Sequence, residues 1–197
     1  MKYINKTITT AVLLATSSVL MLTQCTNGPV SNYNAATLNT SKLAGDSREA
    51  LAELYKSNPA ARKVGSQAKS ILVFPEITKG GLMVGGMGGN GALIDSDGRI
   101  RNFYQTGGIS YGLQAGVQQY GYALFLMNDQ AVRQLDSAGG WEVGGAPSLV
   151  VVDRGMAKSL ATGNLDAGTY AFIFDQKGLM GGLGLQGVRI NRLNTSR

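Results

Sequence analysis

Lys79-Gly80-Gly81-Leu82-Met83-Val84-Gly85-Gly86-Met87-Gly88-Gly89-Asn90-Gly91-Ala92-Leu93-Ile94 is the stretch on which the fold turns. Its glycines alternate with Leu, Met, Val and Ile, so it is neither a Gly/Ser linker nor a collagen repeat, which needs Gly at every third position. Glycine inside a strand costs stability and is kept where the backbone bulges, bends or closely approaches another group. All but three of the chain's 28 glycines (Gly28, Gly45 and Gly65) fall between Gly80 and Gly187. The reading is a curved, strongly twisted sheet.

The same stretch tempts a second reading. Gly86-Met87-Gly88-Gly89-Asn90-Gly91 and Gly182-Leu183-Gly184-Leu185-Gln186-Gly187 both match the G-x-G-x-x-G fingerprint. A dinucleotide site needs a helix directly after the glycines, because the helix N-terminus holds the pyrophosphate. Here Ala92-Leu93-Ile94 and Val188-Arg189-Ile190 follow, and both read as strands. Gly108-Ile109-Ser110-Tyr111-Gly112 matches the nucleophile elbow, but that chemistry needs a general base, normally His, and the chain has no histidine. Asp95 with Asp97, and Glu142 with Asp153, are formally carboxylate pairs. Turn chemistry beside Gly98 and Gly155 accounts for the aspartates, and the rest of a calcium loop is missing.

Composition narrows the classes further. The chain has 197 residues, enough for one domain with a real core. Its formal net charge is +6, two of which are Lys2 and Lys6 near the N-terminus. The longest basic run is Arg62-Lys63, so the balance suits weak preference for anionic partners and not a nucleic-acid interface. Without His, a zinc site with His ligands and a His proton switch are excluded. With one cysteine, Cys25, there is no intrachain disulfide and no Cys metal cluster. The expectation is a non-catalytic protein with no cofactor and no metal.

The N-terminus reads as a targeting segment. Met1 to Thr7 is short and basic, and Ile8 to Leu22 is apolar, broken only by Thr and Ser. The apolar stretch is short for a membrane span and ends in Leu22-Thr23-Gln24-Cys25. This resembles a bacterial lipoprotein signal, in which the cysteine is lipidated and becomes the new N-terminus. Leu22 and Thr23 fit that pattern, while Gln24 stands where Gly, Ala or Ser is usual. An ordinary signal peptide with an incidental thiol and a retained anchor are the alternatives. Thr26 rather than Asp after the cysteine resembles an outer-membrane address. The expected organisation is a signal peptide over 1–24, a polar tether over 25–39 and a single domain over 40–197.

Along the domain, Leu43, Ser47, Ala50, Leu51, Leu54 and Tyr55 recur at helical spacing from a Thr40-Ser41 cap to Asn58. Asn58-Pro59 opens a second short helix running to about Lys69. Ile71 to Phe74 reads as a buried strand ended by Pro75. Asp95-Ser96-Asp97-Gly98 is a turn, and Arg99 to Thr106 returns as the partner strand. Ile109, Tyr111, Leu113, Ala115 and Val117 alternate with Ser110, Gly112, Gln114, Gly116 and Gln118, which predicts a strand with the first set buried. Tyr120 to Met127 continues as a strand. Asn128 caps a short helix with Ala131, Val132 and Leu135 inward. Trp141 to Val152 is a strand region, Ala157 to Leu160 a helical turn, Tyr170 to Phe174 a strand, and Asp175 to Gly178 a tight turn. A parity change between Leu185 and Val188 predicts a bulge at Gln186-Gly187.

Ile71-Leu-Val-Phe-Pro-Glu-Ile-Thr-Lys-Gly80, Gly112-Leu-Gln-Ala-Gly-Val-Gln-Gln-Tyr-Gly-Tyr122, Gly139-Gly-Trp-Glu-Val143, Leu149-Val-Val-Val-Asp153 and Tyr170-Ala-Phe-Ile-Phe-Asp-Gln-Lys-Gly-Leu179 resemble, in order and spacing, the SYLF domain. The resemblance runs from about Ala50 to Leu193 and implies lipid binding: eukaryotic members bind phosphoinositides, some bind actin, and bacterial members are often exported lipoproteins. It supplies no catalytic residues. Actin is not expected as the partner of an exported protein. The helix at the domain's start, which helps hold membranes in eukaryotic relatives, is charge-mixed here.

The expected fold is α+β, with a curved, mostly antiparallel, barrel-like glycine-rich sheet and a few packing helices. The expected function is that of an envelope lipoprotein, anchored through Cys25 to the outer membrane and facing the periplasm, whose domain contacts anionic phospholipid. Lys79, Arg99, Arg101, Lys177, Arg189 and Arg192 are the candidate headgroup contacts. The alternative is a structural or protein-interaction module of the envelope without specific lipid recognition.

Overall fold

Three long strands dominate the structure: β1 (Ser70–Asp95), β2 (Ile100–Leu126) and β5 (Thr169–Arg192). The computed structural model of the chain describes residues 38–136, 141–143, 149–152, 165 and 167–194. Ala35–Arg197 form one compact unit. The element order is α1 (Thr40–Ser57), α2 (Pro59–Gly65), β1, β2, α3 (Asp129–Leu135), β3 (Trp141–Val143), β4 (Leu149–Val152) and β5. Cys25 and the helical turn expected at Ala157 to Leu160 lie outside the described residues.

β2 is the central strand, antiparallel to β1 along one side and to β5 along the other. The outer edge of β5 pairs with β4 in parallel near Thr169 and with β3 antiparallel near Ile190. The fold is therefore α+β around a mostly antiparallel sheet, as the sequence indicates. The barrel is corrected: the pairing path runs β1-β2-β5-β3 with β4 beside β5, and no described pairing closes it.

What the sheet does instead is double over. Ser70 Oγ, at the start of β1, donates to Asp95 Oδ1, at its end, over 3.1 Å. One buried cluster holds Leu72, Phe74 and Ile77 from the first arm of β1 with Leu93 from the second, together with Tyr104, Tyr122, Leu124 and Ile190. Glycine permits this closure. A Cβ on Gly91 would stand 2.5 Å from the Val73 carbonyl oxygen and 2.6 Å from Phe74 Cδ1, and one on Gly81 would collide with Gly85 Cα. No side chain fits between two backbones that close.

The inner face of the doubled sheet carries the even-numbered residues of β2, with Tyr104, Thr106, Tyr122, Leu124 and Leu126 all buried. Ala131 and Leu135 of α3 join this inner cluster. The outer face of the first arm carries Val73, Ala123, Phe125 and Phe172, which α1 and α2 cover through Leu51, Leu54, Ala61 and Val64. Phe125 meets the Phe172 ring edge-on at 5.1 Å between centroids.

The helices start at Asn caps, and the first is capped by Asn39 rather than by the expected Thr40-Ser41, so Thr40 is already helical. Asn39 Oδ1 accepts from Lys42 N, Asn58 Oδ1 from Ala60 N and Ala61 N, and Asn128 Oδ1 from Ala131 N. α2 ends at Gly65, earlier than expected. Four further expectations are revised. Pro75 does not end its strand: β1 lies at a sheet edge, where a missing N–H costs no pairing, and the register shifts between Phe74 and Ile77. Asp175 to Gly178 is not a hairpin turn but a bulge within β5, with Asp175 at φ 48° and Gly178 at φ 91°. The register of β5 on β2 runs unbroken past Gln186 and Gly187, so no bulge lies there. The fourth revision is the burial expected of Ile109, Ala115 and Val117; the side chains of Tyr111 and Leu113, expected on the same face, lie outside the described residues.

Candidate functional site

Bending exposes one apolar face. On β2, Ile109, Ala115 and Val117 share the outer, odd-numbered face, and their register partners on β1 place Leu82 and Val84 beside them. Leu82 is 74 % exposed, Val84 57 %, Ile109 50 % and Val117 59 %, and Ala115 is exposed as well. The alternation was correct about which residues share a face. It was wrong about burial, because the glycine face turned inward and its opposite became the outside of the bend. This is the same outer face that α1 and α2 cover on the first arm; over the bend, no described helix packs on it. Large apolar residues exposed together on one sheet face are the kind of surface that marks an interaction site.

The six basic candidates do not form one patch. Lys79 stands opposite Gln118 and Lys177 opposite Gln119, so the two lysines flank β2 at the bend on opposite faces. Arg99 and Arg101 lie at the far β1–β2 turn, and Arg189 and Arg192 at the end of β5. Four meet a carboxylate: Arg99 pairs with Asp97, Arg101 with Asp95 at 3.0 Å, Lys177 with Asp175 at 2.9 Å and Arg192 with Asp136 at 3.9 Å. The hydrogen bond from Arg99 holds the Asp97 carboxyl below its ordinary range. Exposed pairs of this kind add little to stability, so they remain open to exchange but are locally neutralised.

A second feature lies beside α1. A groove of about 740 Å³ opens between α1 and the β1 and β5 bulges. Ala50, Leu54, Pro75 and Phe174 line it together with Asp46, Glu49, Glu53, Glu76 and Asp175. Lys42 bonds Asp46 at 2.5 Å, and Gln119 Nε2 donates to Glu76 at 3.1 Å. Its charge is opposite to what an anionic headgroup requires.

Buried tyrosines brace the sheet. Tyr104 donates to Asp136 Oδ1 over 2.6 Å, joining β2 to the end of α3. Burial, then this hydrogen bond, raises the Tyr104 phenol far above its ordinary value, and burial does the same for Tyr122. Among the described residues no group of three or more acidic, Cys or His side chains is placed to hold a metal. No described helix is long and apolar enough to cross a membrane.

Sequence reasoning missed the exposure of Leu82, Val84, Ile109, Ala115 and Val117. The signal was present in the glycines alternating with them, since a row of residues without side chains marks the face toward which a sheet can fold.

Comparison with known proteins adds the family. Residues 107–195 match the family model described as Ysc84, Las17-binding protein actin regulator. The match begins where β2 enters the bend and continues to the end of β5. No curated protein matches the chain. Over residues 107–195 the chain is therefore similar to the SYLF (Ysc84) domain, in line with the resemblance carried by its motifs.

Proposed function

We propose that this chain is a non-catalytic envelope lipoprotein, held at a membrane by lipidation of Cys25, whose SYLF domain contacts phospholipid. The observation that carries the reading is the exposed apolar face of the bend, formed by Leu82, Val84, Ile109, Ala115 and Val117. The anchor rests on the tripartite N-terminus ending at Cys25, and Thr26 after it favours an outer membrane, with the domain in the periplasm. Anionic lipid is the expected partner because the chain is basic, with Lys177 beside the exposed face.

The test is co-sedimentation of residues 26–197 with vesicles of phosphatidylethanolamine and phosphatidylglycerol at low salt. The protein is expected in the pellet; its remaining in the supernatant ends lipid contact by the domain. Mass spectrometry of the native N-terminus checks the anchor separately, and an unmodified Cys25 thiol refutes it.

The acidic groove beside α1 favours a second reading, a module that binds a basic protein segment. The family description, which speaks of Las17 binding and actin regulation, also names protein partners. Loss of partner capture on charge reversal at Glu49 and Glu53, with vesicle binding unchanged, would distinguish this reading from the first.

A further inference from the structure

We infer that the bend itself is the membrane-inserting element: the outer sheet face around Leu82, Val84, Ile109 and Val117 seats in the interfacial layer of a phospholipid bilayer. This deepens the lipid-contact reading and rests on it. It assigns binding to apolar insertion and not to the six basic residues.

Three observations select a bilayer as the occupant. The first is shape. The glycine side of the bend is the closed side, where a Gly81 side chain would collide with Gly85, so the apolar residues lie on the outside of a fold. An outward-bent face has no concavity to enclose a small ligand, whereas a fluid interface deforms around it. The second is the border. The same face passes from Val117 to Gln119, whose partners across the sheet are Thr78 and Lys177. Apolar residues bounded by amide, hydroxyl and ammonium groups match the change from acyl chains to headgroups. The third is reach. From Cys25 to Thr40 the chain spans 15 residues. At a fully extended length of about 3.3–3.6 Å per residue, a lipidated Cys25 keeps the start of α1 within roughly 50 Å of the bilayer. The anchor therefore raises the local concentration of the face at the membrane, and a weak insertion suffices.

The basic residues have a smaller part on this view. At least four of the six already meet carboxylates, and they sit in three separate places. Binding then depends weakly on salt and on the anionic fraction of the lipid.

The experiment uses residues 26–197, which contain the whole compact unit and no cysteine. Val117→Cys, and Ser96→Cys in the distant β1–β2 turn as control, are each labelled with an environment-sensitive fluorophore. Phosphatidylethanolamine–phosphatidylglycerol vesicles are added at low and high salt. The expected result is a blue-shifted, brighter signal at position 117 only, largely retained at high salt. Vesicle binding should be roughly tenfold weaker or worse in Leu82→Asp/Val117→Asp, because two apolar contacts are lost and two charges must be desolvated. The three positions involved, 82, 96 and 117, are exposed, and unchanged thermal unfolding of the variants confirms that folding is intact. A protein that pellets with vesicles while position 117 stays aqueous overturns the inference and leaves lipid contact standing. A protein that does not pellet at all ends both. A blue shift at 117 that needs only higher protein concentration shows that a second copy covers the face, and also overturns it.

Discussion

Gly91 and Gly45 show how one residue type serves two purposes. At Gly91 an added Cβ meets the Val73 carbonyl at 2.5 Å, so Gly91→Ala must push the two arms of β1 apart. It should cost about 1–3 kcal/mol, seen as a lower midpoint in urea unfolding. Gly45 lies inside α1 with nothing within 4 Å of its would-be Cβ. Gly45→Ala should raise stability by about 0.5–1 kcal/mol, from helix propensity and a less free unfolded chain. Opposite signs from the same substitution would establish that close approach, and not glycine itself, matters at Gly91. The tyrosines make a pH prediction at this scale. Tyr104 and Tyr122 hold their protons more tightly when folded than when unfolded. Their contribution is therefore fully present below about pH 10, the unfolded value, and is lost as pH rises beyond it. Thermal midpoints should be flat with respect to these groups up to that point and fall above it, with a shallower fall in Tyr104→Phe. Absorbance at alkaline pH should show part of the tyrosine ionising only on unfolding.

At the scale of elements, Asn58 links two helices. Its backbone N–H donates to the Leu54 carbonyl at the end of α1, while its side chain caps α2 through Ala60 and Ala61. Asn58→Ala should cost about 1 kcal/mol, read from the unfolding midpoint, because the side-chain cap is lost and the backbone bond is kept. Helix signals of this kind are local, which is why α1, α3 and the Asn58-Pro59 break were legible in the sequence. The strands were legible as strands, but three of their joints were not. Pro75 looked like an end because the sequence does not show which strand is an edge. Asp175 to Gly178 looked like a turn because a bulge and a turn use the same residue types. The Ile109 to Val117 alternation looked like a buried strand because alternation reports a shared face and says nothing about what covers it.

For the whole molecule, the two clusters of buried residues make β1 indispensable. It supplies Leu72, Phe74, Ile77 and Leu93 to the inner face and Ile71, Val73 and Ile94 to the outer. The family match begins only at Gly107, after all of these. A fragment of residues 107–195 should therefore lack the native circular dichroism spectrum and associate on a sizing column, whereas residues 35–197 should be monodisperse and unfold cooperatively. A native, monomeric 107–195 fragment would refute the doubled-sheet account of stability. The exposed apolar face proposed to meet lipid belongs to this scale too, since it exists only after the sheet has bent.

By itself, the sequence determined the strand content, the presence of the helices and the absence of histidine chemistry. Each is set by residues near one another in the chain, or by residues that are simply missing. The tertiary structure alone decided that the sheet folds over its glycines without closing into a barrel. It also dispersed the basic residues among ion pairs and left the apolar face of the bend uncovered. Those outcomes depend on where distant segments meet. The Ser70–Asp95 contact and the approach of Gly91 to Val73 join positions 18 or more residues apart, beyond any local pattern.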